Sequence, residues 1–400
     1  MDPKRINFSR EHMRYSCFDN SKGKEKSWGI TPNSKGGPNI KEFRPCIEAY
    51  FSRNSGPVYE FAEPTPLDDK LEDRTFEQIE KTPVKTYFVS DFGVVDPERS
   101  QEERKNSVKR AVMNHGAVFA SIYYDDDYMN SQYYVMPGRK ETKNGGRHAV
   151  MIVGWDDSIK KSCFAHSAQL KGEGAFLIRD SAIQTTPGMN WNYWISYEDA
   201  YLLEVNCYVK SIEPWYDARR LYQNNYFGTY FARDLAGRYD LDCVTFIVNY
   251  KRDSDAGREV LKSVLLFNAT VETNVDVFLV RSDGTEEALF TELCMDELGY
   301  GTYPVQAKSP DGLSREVYLE AEEHEFALKV TYSRKGKCLI PMEMHRSYRE
   351  QIGGGIQGFS QGEQYILLNN IKEDVSQERF ANAIGRLGIK LITEPAAGEW

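Results

Sequence analysis

The sequence has 400 residues, of which 40% are hydrophobic, 13% aromatic and 28% charged, and its formal net charge is -10. This length predicts two or three domains, and the composition is typical of folded proteins with sizeable cores. No basic stripe offsets the acidic charge, which excludes a nucleic-acid partner, and no apolar run approaches the roughly 18 residues of a membrane span.

The first half of the sequence predicts both helices and strands. A helix is expected at residues 40–52, and residues 61–100 are predicted to be mostly loop because four prolines interrupt them. Residues 102–115 have the period of an amphipathic helix, and Gly116 would end it. Runs of β-branched, aromatic and other apolar residues then predict strands at 117–124, 148–155, 174–179 and 192–196.

From about residue 213 the pattern changes to short strands separated by polar turns, such as SDGT at 282–285. Strands are predicted at 243–249, 260–268, 275–281, 325–332 and 365–370, with no strong helical period. This pattern is typical of a β-sandwich. Aromatic residues in this half would form a platform for a sugar or, as an alternative, belong to the core.

The N-terminal residues MDPKRINFSREHMRYS contain no apolar segment and so do not predict a secretory signal. If Met1 is the true start, we expect a cytoplasmic protein; if a signal peptide precedes it, we expect a secreted or cell-surface protein. No C-x-x-C pair occurs, which argues against structural zinc. We interpret the cysteines as buried free thiols of a reducing compartment; they are Cys17, Cys46, Cys163, Cys207, Cys243, Cys294 and Cys338.

Two polar residues lie at the ends of predicted strands in the segment 146–201. His148 opens an apolar strand, and Asp180 directly follows another. Neighbouring strands would bring the two side chains together. Nucleophilic catalysis uses such a pair, because a base accepts the proton of the nucleophile and a third group orients the base. Histidine suits the base, since its ordinary pKa lies near neutrality.

Simpler interpretations remain open for these residues. His148 would be a core histidine bonded to the backbone, and Asp180 a turn residue at the end of a strand. The acidic run at 125–127 would form a metal site or, as the alternative, a solvated loop.

The segment 146–201 resembles the papain family of cysteine peptidases. One strand of that family reads H-A-V-x-x-V-G-[WY], and a later one reads [YW]-x-[IV]-[KR]-N-S-W-G. Residues 8–16, 36–57 and 107–124 are similar to further family segments in the same order, with Ala117 in place of a proline. The D-D after V-G-W and the ending I-S-Y-E-D-A-Y are similar to the variety with a C-terminal lectin-like β domain. The matching residues are His148, Ala149, Val150, Val153, Gly154, Trp155, Phe176, Ile178, Arg179, Ser181, Tyr193, Trp194 and Ile195.

The resemblance implies an α+β fold, with an incomplete papain-like peptidase domain at 1–212 and an all-β, lectin-like sandwich at 213–400. It implies hydrolysis of a peptide bond through a thioester, with His148 relaying the proton and Asp180 orienting it. The implied partners are a polypeptide and, through the C-terminal domain, a carbohydrate. No metal or organic cofactor is implied.

The sequence departs from the family in three respects. The family's nucleophilic cysteine and oxyanion glutamine precede the segment that matches 8–16, so we expect an N-terminally truncated peptidase domain. Cys17 has about the family's separation from His148 but follows that segment, and Cys46 lies in a predicted packing helix. Asp180 replaces an asparagine, although an aspartate also orients a histidine. Ala182 and Ile183 replace a Trp-Gly pair whose tryptophan shields the histidine contact from water.

Three functional hypotheses follow. The chain is an incomplete record of a working cysteine endopeptidase, or it is a pseudopeptidase that binds peptides without cleaving them. The third hypothesis, compatible with either, assigns carbohydrate or surface binding to the β-rich half.

Overall fold

The computed structural model describes residues 8–9, 12–13, 43–54, 56–59, 87–180, 192–215, 218–224, 231–308, 312–343, 361–380 and 384–397. The chain forms two compact units. One comprises residues 92–210, and the other combines residues 1–91 with 211–400. Within the described ranges, no helix is long and apolar enough to cross a membrane.

Three α-helices and twenty-one strands have both ends within the described ranges. The helices are α1 (Phe43–Ser52), α2 (Gln101–His115) and α3 (Leu235–Tyr239). The strands of the first half are β1 (Tyr87–Val94), β2 (Val118–Tyr124), β3 (Met129–Asn130), β4 (Tyr133–Tyr134), β5 (Gly146–Asp156), β6 (Ala175–Arg179), β7 (Asn192–Ser196) and β8 (Asn206–Pro214). Those of the second half are β9 (Arg220–Gln223), β10 (Phe231–Asp234), β11 (Cys243–Lys251), β12 (Glu259–Asn268), β13 (Thr273–Val280), β14 (Glu286–Met295), β15 (Leu298–Pro304), β16 (Tyr318–Leu319), β17 (Glu325–Ser333), β18 (Leu339–Met342), β19 (Gln364–Leu368), β20 (Ile371–Asp374) and β21 (Ile389–Pro395).

The unit of residues 92–210 contains a sheet in the order β3-β4-β7-β6-β5-β2-β8. Neighbouring strands run antiparallel except the parallel pair of β4 and β7. Side chains alternate between the two faces of a strand, and one face of this sheet forms the core. Buried residues of β2, β5, β6 and β7 lie on that face: Val118, Ala120, Ile122, Val150, Ile152, Phe176, Ile178, Tyr193 and Ile195.

Helix α2 packs on the same core through Val108, Ala111 and Val112. It begins with a capping box, in which the Ser100 hydroxyl accepts from the Glu103 N–H and the Glu103 carboxylate accepts from the Ser100 N–H. These bonds satisfy backbone donors that a helix start otherwise leaves without partners. The predicted helix and its predicted buried face are therefore both present.

The other unit has two sheets around one core. One sheet has the order β1-β15-β12-β21-β9, with β16 also paired to β12, and the second has the order β14-β13-β17-β11-β19-β20. Strand β11 alternates strictly, with Val244, Phe246, Val248 and Tyr250 buried. These side chains share a core with residues of β12, so the unit is a sandwich with a short additional β10-β18 pair.

The structure describes the side chains of five cysteines, and none of these five forms a disulfide. Cys207 and Cys338 are buried, and Cys163 is partly buried. Cys243 and Cys294 are exposed, so the expectation of buried thiols fails for these two.

The predicted fold class, an α+β papain-like peptidase domain, is wrong, because the described structure is mostly β and its three helices are short. The residues themselves indicated helices only at 40–52 and 102–115. The expectation of an α+β domain with more helix rested on the family resemblance. The domain boundary between residues 212 and 213 stays a prediction.

Arg252 gives the sandwich unit a testable stabilising interaction. Its fully buried guanidinium donates to the carbonyls of Glu320 at 2.5 Å, Glu323 at 2.7 Å and Gly257 at 2.5 Å. Substituting Arg252→Met should lower the free energy of unfolding by about 3 kcal/mol, because three part-buried carbonyls lose their donor and the buried Glu259 loses a cation 3.8 Å away. Urea unfolding measures this change. Lys251→Met is the control, because the neighbouring Lys251 side chain is exposed. This variant should change the free energy of unfolding little.

Asp199 gives the unit of residues 92–210 a testable pH dependence. Its buried carboxylate accepts from the N–H groups of Met136, Tyr201 and Leu202, and burial raises its pKa from 3.8 to about 6. Between about pH 4 and pH 6 the folded state therefore binds more protons than the unfolded state. The free energy of unfolding should fall by about 3 kcal/mol as the pH rises through this window.

Urea unfolding of the wild type and of Asp199→Asn, which does not titrate at this position, isolates the contribution of Asp199. The difference between the two proteins should change between pH 4 and pH 6 and stay constant above that range. A difference that is constant from pH 4 to pH 7 would contradict the raised pKa.

Candidate functional site

The central strands of the 92–210 sheet place His148 and Asp180 at one end of its buried face. His148 shares the face of Val150 and Ile152 on β5, while Asp180 directly follows β6 on the face of Ile178. The side chain of Asp180 is 1% exposed and that of His148 is 25% exposed. The pair therefore lies where the core meets the surface.

The register of the sheet explains why these side chains meet. Ile152 pairs with Ile178 on β6, and Ile178 pairs with Tyr193 on β7. Continuing this antiparallel register places Asp180 diagonally opposite His148 on one side and Tyr193 on the other, within reach of long side chains. Strand β6 thus presents Asp180 between two neighbours.

Both neighbours contact the same carboxylate oxygen. Nε2 of His148 lies 2.7 Å from Oδ2 of Asp180, and the hydroxyl of Tyr193 donates to this oxygen at 3.0 Å. The structure therefore brings the two predicted site residues together and adds Tyr193. The predicted interpretation of Asp180 as a simple turn residue does not account for these contacts.

The contact with Asp180 defines how the neutral imidazole is protonated. A carboxylate accepts hydrogen bonds, so Nε2 carries the proton that is donated to Asp180. Nδ1 is then the unprotonated nitrogen and is able to accept a proton. None of the five cysteines whose side chains the structure describes hydrogen-bonds to His148.

Aromatic side chains surround this pair. The ring of Tyr124 contacts those of His148 and Tyr193 edge-on, with centroids 6.1 and 6.4 Å apart, and stacks on Tyr134 at 5.2 Å. Burial and the charge of Asp180 raise the pKa of Tyr193 well above its usual value. Burial and a hydrogen bond to Asp126 likewise raise the pKa of Tyr124. Both hydroxyls therefore stay protonated near neutral pH.

Several sequence predictions about this site lie outside the described residues. They concern Cys17 and the replaced Trp-Gly pair at Ala182 and Ile183. Cys46 lies within α1. The roles of His148 and Asp180 as base and orienting group stay predictions, since a contact alone does not show catalysis.

The acidic run at 125–127 is divided between core and solvent. Asp125 is buried and accepts from the hydroxyl of Thr142 and the N–H of Asp127, while Asp126 and Asp127 are exposed. The hydrogen bond from Thr142 holds the pKa of Asp125 below its usual value. Across the described ranges, no group of three or more potential ligands could hold a metal ion.

The sequence predictions did not identify the contact of Tyr193 with Asp180. The family resemblance includes Tyr193 only as a matching residue of the predicted strand at 192–196. The signal that could have found it is alternation, because Tyr193 and Ile195 share the inward parity of β7. A buried tyrosine on a strand beside Asp180 needs a partner for its hydroxyl.

Comparisons with known proteins find solved structures of similar fold. No protein-family model and no curated protein matches the chain. A solved structure of a cysteine-to-alanine variant of the clostridial cysteine protease Cwp84 after propeptide cleavage is similar, with a TM-score of 0.74 and 22% identity over 98% of this chain and 89% of that chain. A structure of the cysteine protease and lectin-like domains of Cwp84, a surface-layer-associated protein of Clostridium difficile, is also similar. Its TM-score is 0.73 and its identity is 22%, over 98% of this chain and 79% of that chain.

At 22% identity this likeness shows a shared fold.

Proposed function

We propose that this chain catalyses cysteine-type peptide hydrolysis, with His148 as the general base and Asp180 as the group that orients it. The observation that carries the proposal is the 2.7 Å contact between Nε2 of His148 and the buried carboxylate of Asp180. The likeness to a cysteine protease over nearly the whole chain supports it. The proposed substrate is a polypeptide.

In this reaction a cysteine thiol attacks the carbonyl carbon of the peptide bond; in the papain family this cysteine precedes the segment that residues 8–16 resemble. Nδ1 of His148 accepts the thiol proton and later gives it to the leaving amine, so that a thioester forms and the amine departs. A water molecule then hydrolyses the thioester and restores the thiol. Asp180 holds the tautomer that leaves Nδ1 free of a proton, and its charge stabilises the imidazolium.

A second candidate is a protein that binds polypeptides without cleaving them. The observation in its favour is that His148 forms no hydrogen bond with any of the five cysteines whose side chains the structure describes. The lectin-like description of the similar structure would add carbohydrate as a further ligand. Turnover of an unstructured polypeptide separates the two candidates.

Substitutions at His148 and Asp180 test the proposal. His148→Ala should lower kcat/KM on an unfolded casein-type substrate by at least about 100-fold, because the general base is lost. Asp180→Asn should stay within about tenfold of the wild type, since one amide oxygen accepts both hydrogen bonds. Asp180→Ala should fall further than Asp180→Asn. Release of labelled peptide measures each rate.

His115→Ala is the matched control, because this histidine is exposed at the end of α2. It should leave the rate unchanged. Turnover that His148→Ala does not reduce would refute the proposed role of His148. Peptide binding by fluorescence anisotropy, with no turnover in the wild type, would establish the second candidate instead.

A further inference from the structure

Two hydrogen-bond donors from opposite flanking strands converge on one oxygen of Asp180. His148 approaches from β5, and Tyr193 approaches from β7. Tyr193 is 3% exposed, so water does not compete freely for its hydroxyl. Its raised pKa keeps the proton on that hydroxyl, which therefore remains a donor.

A second donor changes what Asp180 can do. The terminal torsion of an aspartate is broad and roughly two-fold, so each additional donor from a different direction further restricts the rotation of the carboxylate. Donors from two directions fix both the plane of the carboxylate and the identity of the oxygen that faces the imidazole. The buried carboxylate also gains a partner that partly compensates its desolvation.

We propose that Tyr193 is a positioning residue of this site, whose hydroxyl holds the Asp180 carboxylate in the orientation that receives the Nε2–H of His148. Its effect on catalysis rests on the function proposed above. Its effect on the imidazole does not, because the hydrogen bonds exist whether or not the chain cleaves peptides.

Nuclear magnetic resonance on the full chain, with ¹⁵N-labelled histidine, tests the proposal through His148 itself. In Tyr193→Phe the Nε2–H of His148 should exchange with water roughly fivefold faster, the factor expected when one typical hydrogen bond is lost. The ¹⁵N shifts of the ring should move toward a mixture of the two neutral tautomers. A merely structural tyrosine would leave both quantities unchanged, and that result overturns the proposal.

Tyr197→Phe provides the matched control. Its hydroxyl donates to Asp157 at 2.7 Å, so the variant removes the same kind of bond from the same unit at the other end of β7. The exchange rate of His148 should stay at the wild-type value. An equal acceleration in both variants would indicate general loosening of the unit and would overturn the proposal.

A measurement on the wild type covers the case in which Tyr193→Phe does not fold. Two protons donated to one oxygen lie close together. A nuclear Overhauser cross-peak should therefore join the Tyr193 hydroxyl proton to the Nε2 proton of His148. Its absence overturns the proposal.

Where turnover is present, Tyr193→Phe should lower kcat several-fold with KM unchanged. Absence of turnover in the wild type counts against the proposed function, while the exchange measurement still decides the role of Tyr193.

Discussion

The antiparallel register of β5, β6 and β7 decides whether a site exists in this chain. Asp180 meets His148 and Tyr193 only because Ile178 pairs with Ile152 on one side and with Tyr193 on the other. A slip of one residue would turn the side chains of a strand to the opposite face of the sheet. The inward-facing apolar residues that form the core therefore also fix the polar contacts at its end.

A buried carboxylate is costly unless donors surround it, and the sheet provides those donors from both sides of Asp180. The aromatic contacts of Tyr124 with His148 and Tyr193 add apolar surroundings, in which hydrogen bonds are electrostatically stronger than in water. This chain lacks the tryptophan that shields the histidine contact in the papain family. Aromatic residues of β2 and β7 surround the contact here.

Local pattern predicted most of the strands that carry the site. The apolar run beginning at His148, the strand before Asp180 and the aromatic strand at 192–196 all form, because alternation and β-branched content are local properties. Strand β1 was missed within a proline-rich stretch predicted as loop. The partner of Asp180 was also missed, because a contact across strands depends on register, which a single sequence does not display. The fold class failed where it relied on resemblance in place of residues.

The order in which the chain is synthesised has a consequence for its two units. Residues 92–210 are contiguous, so this unit is able to fold as soon as its last strand has left the ribosome. The other unit joins β1 to β15, with the hydroxyls of Tyr300 and Thr302 donating to the carbonyls of Val89 and Ser90. The edge of β1 that pairs with β15 must therefore wait for about 200 further residues to be made. During that interval the open edge is a template on which another chain is able to pair.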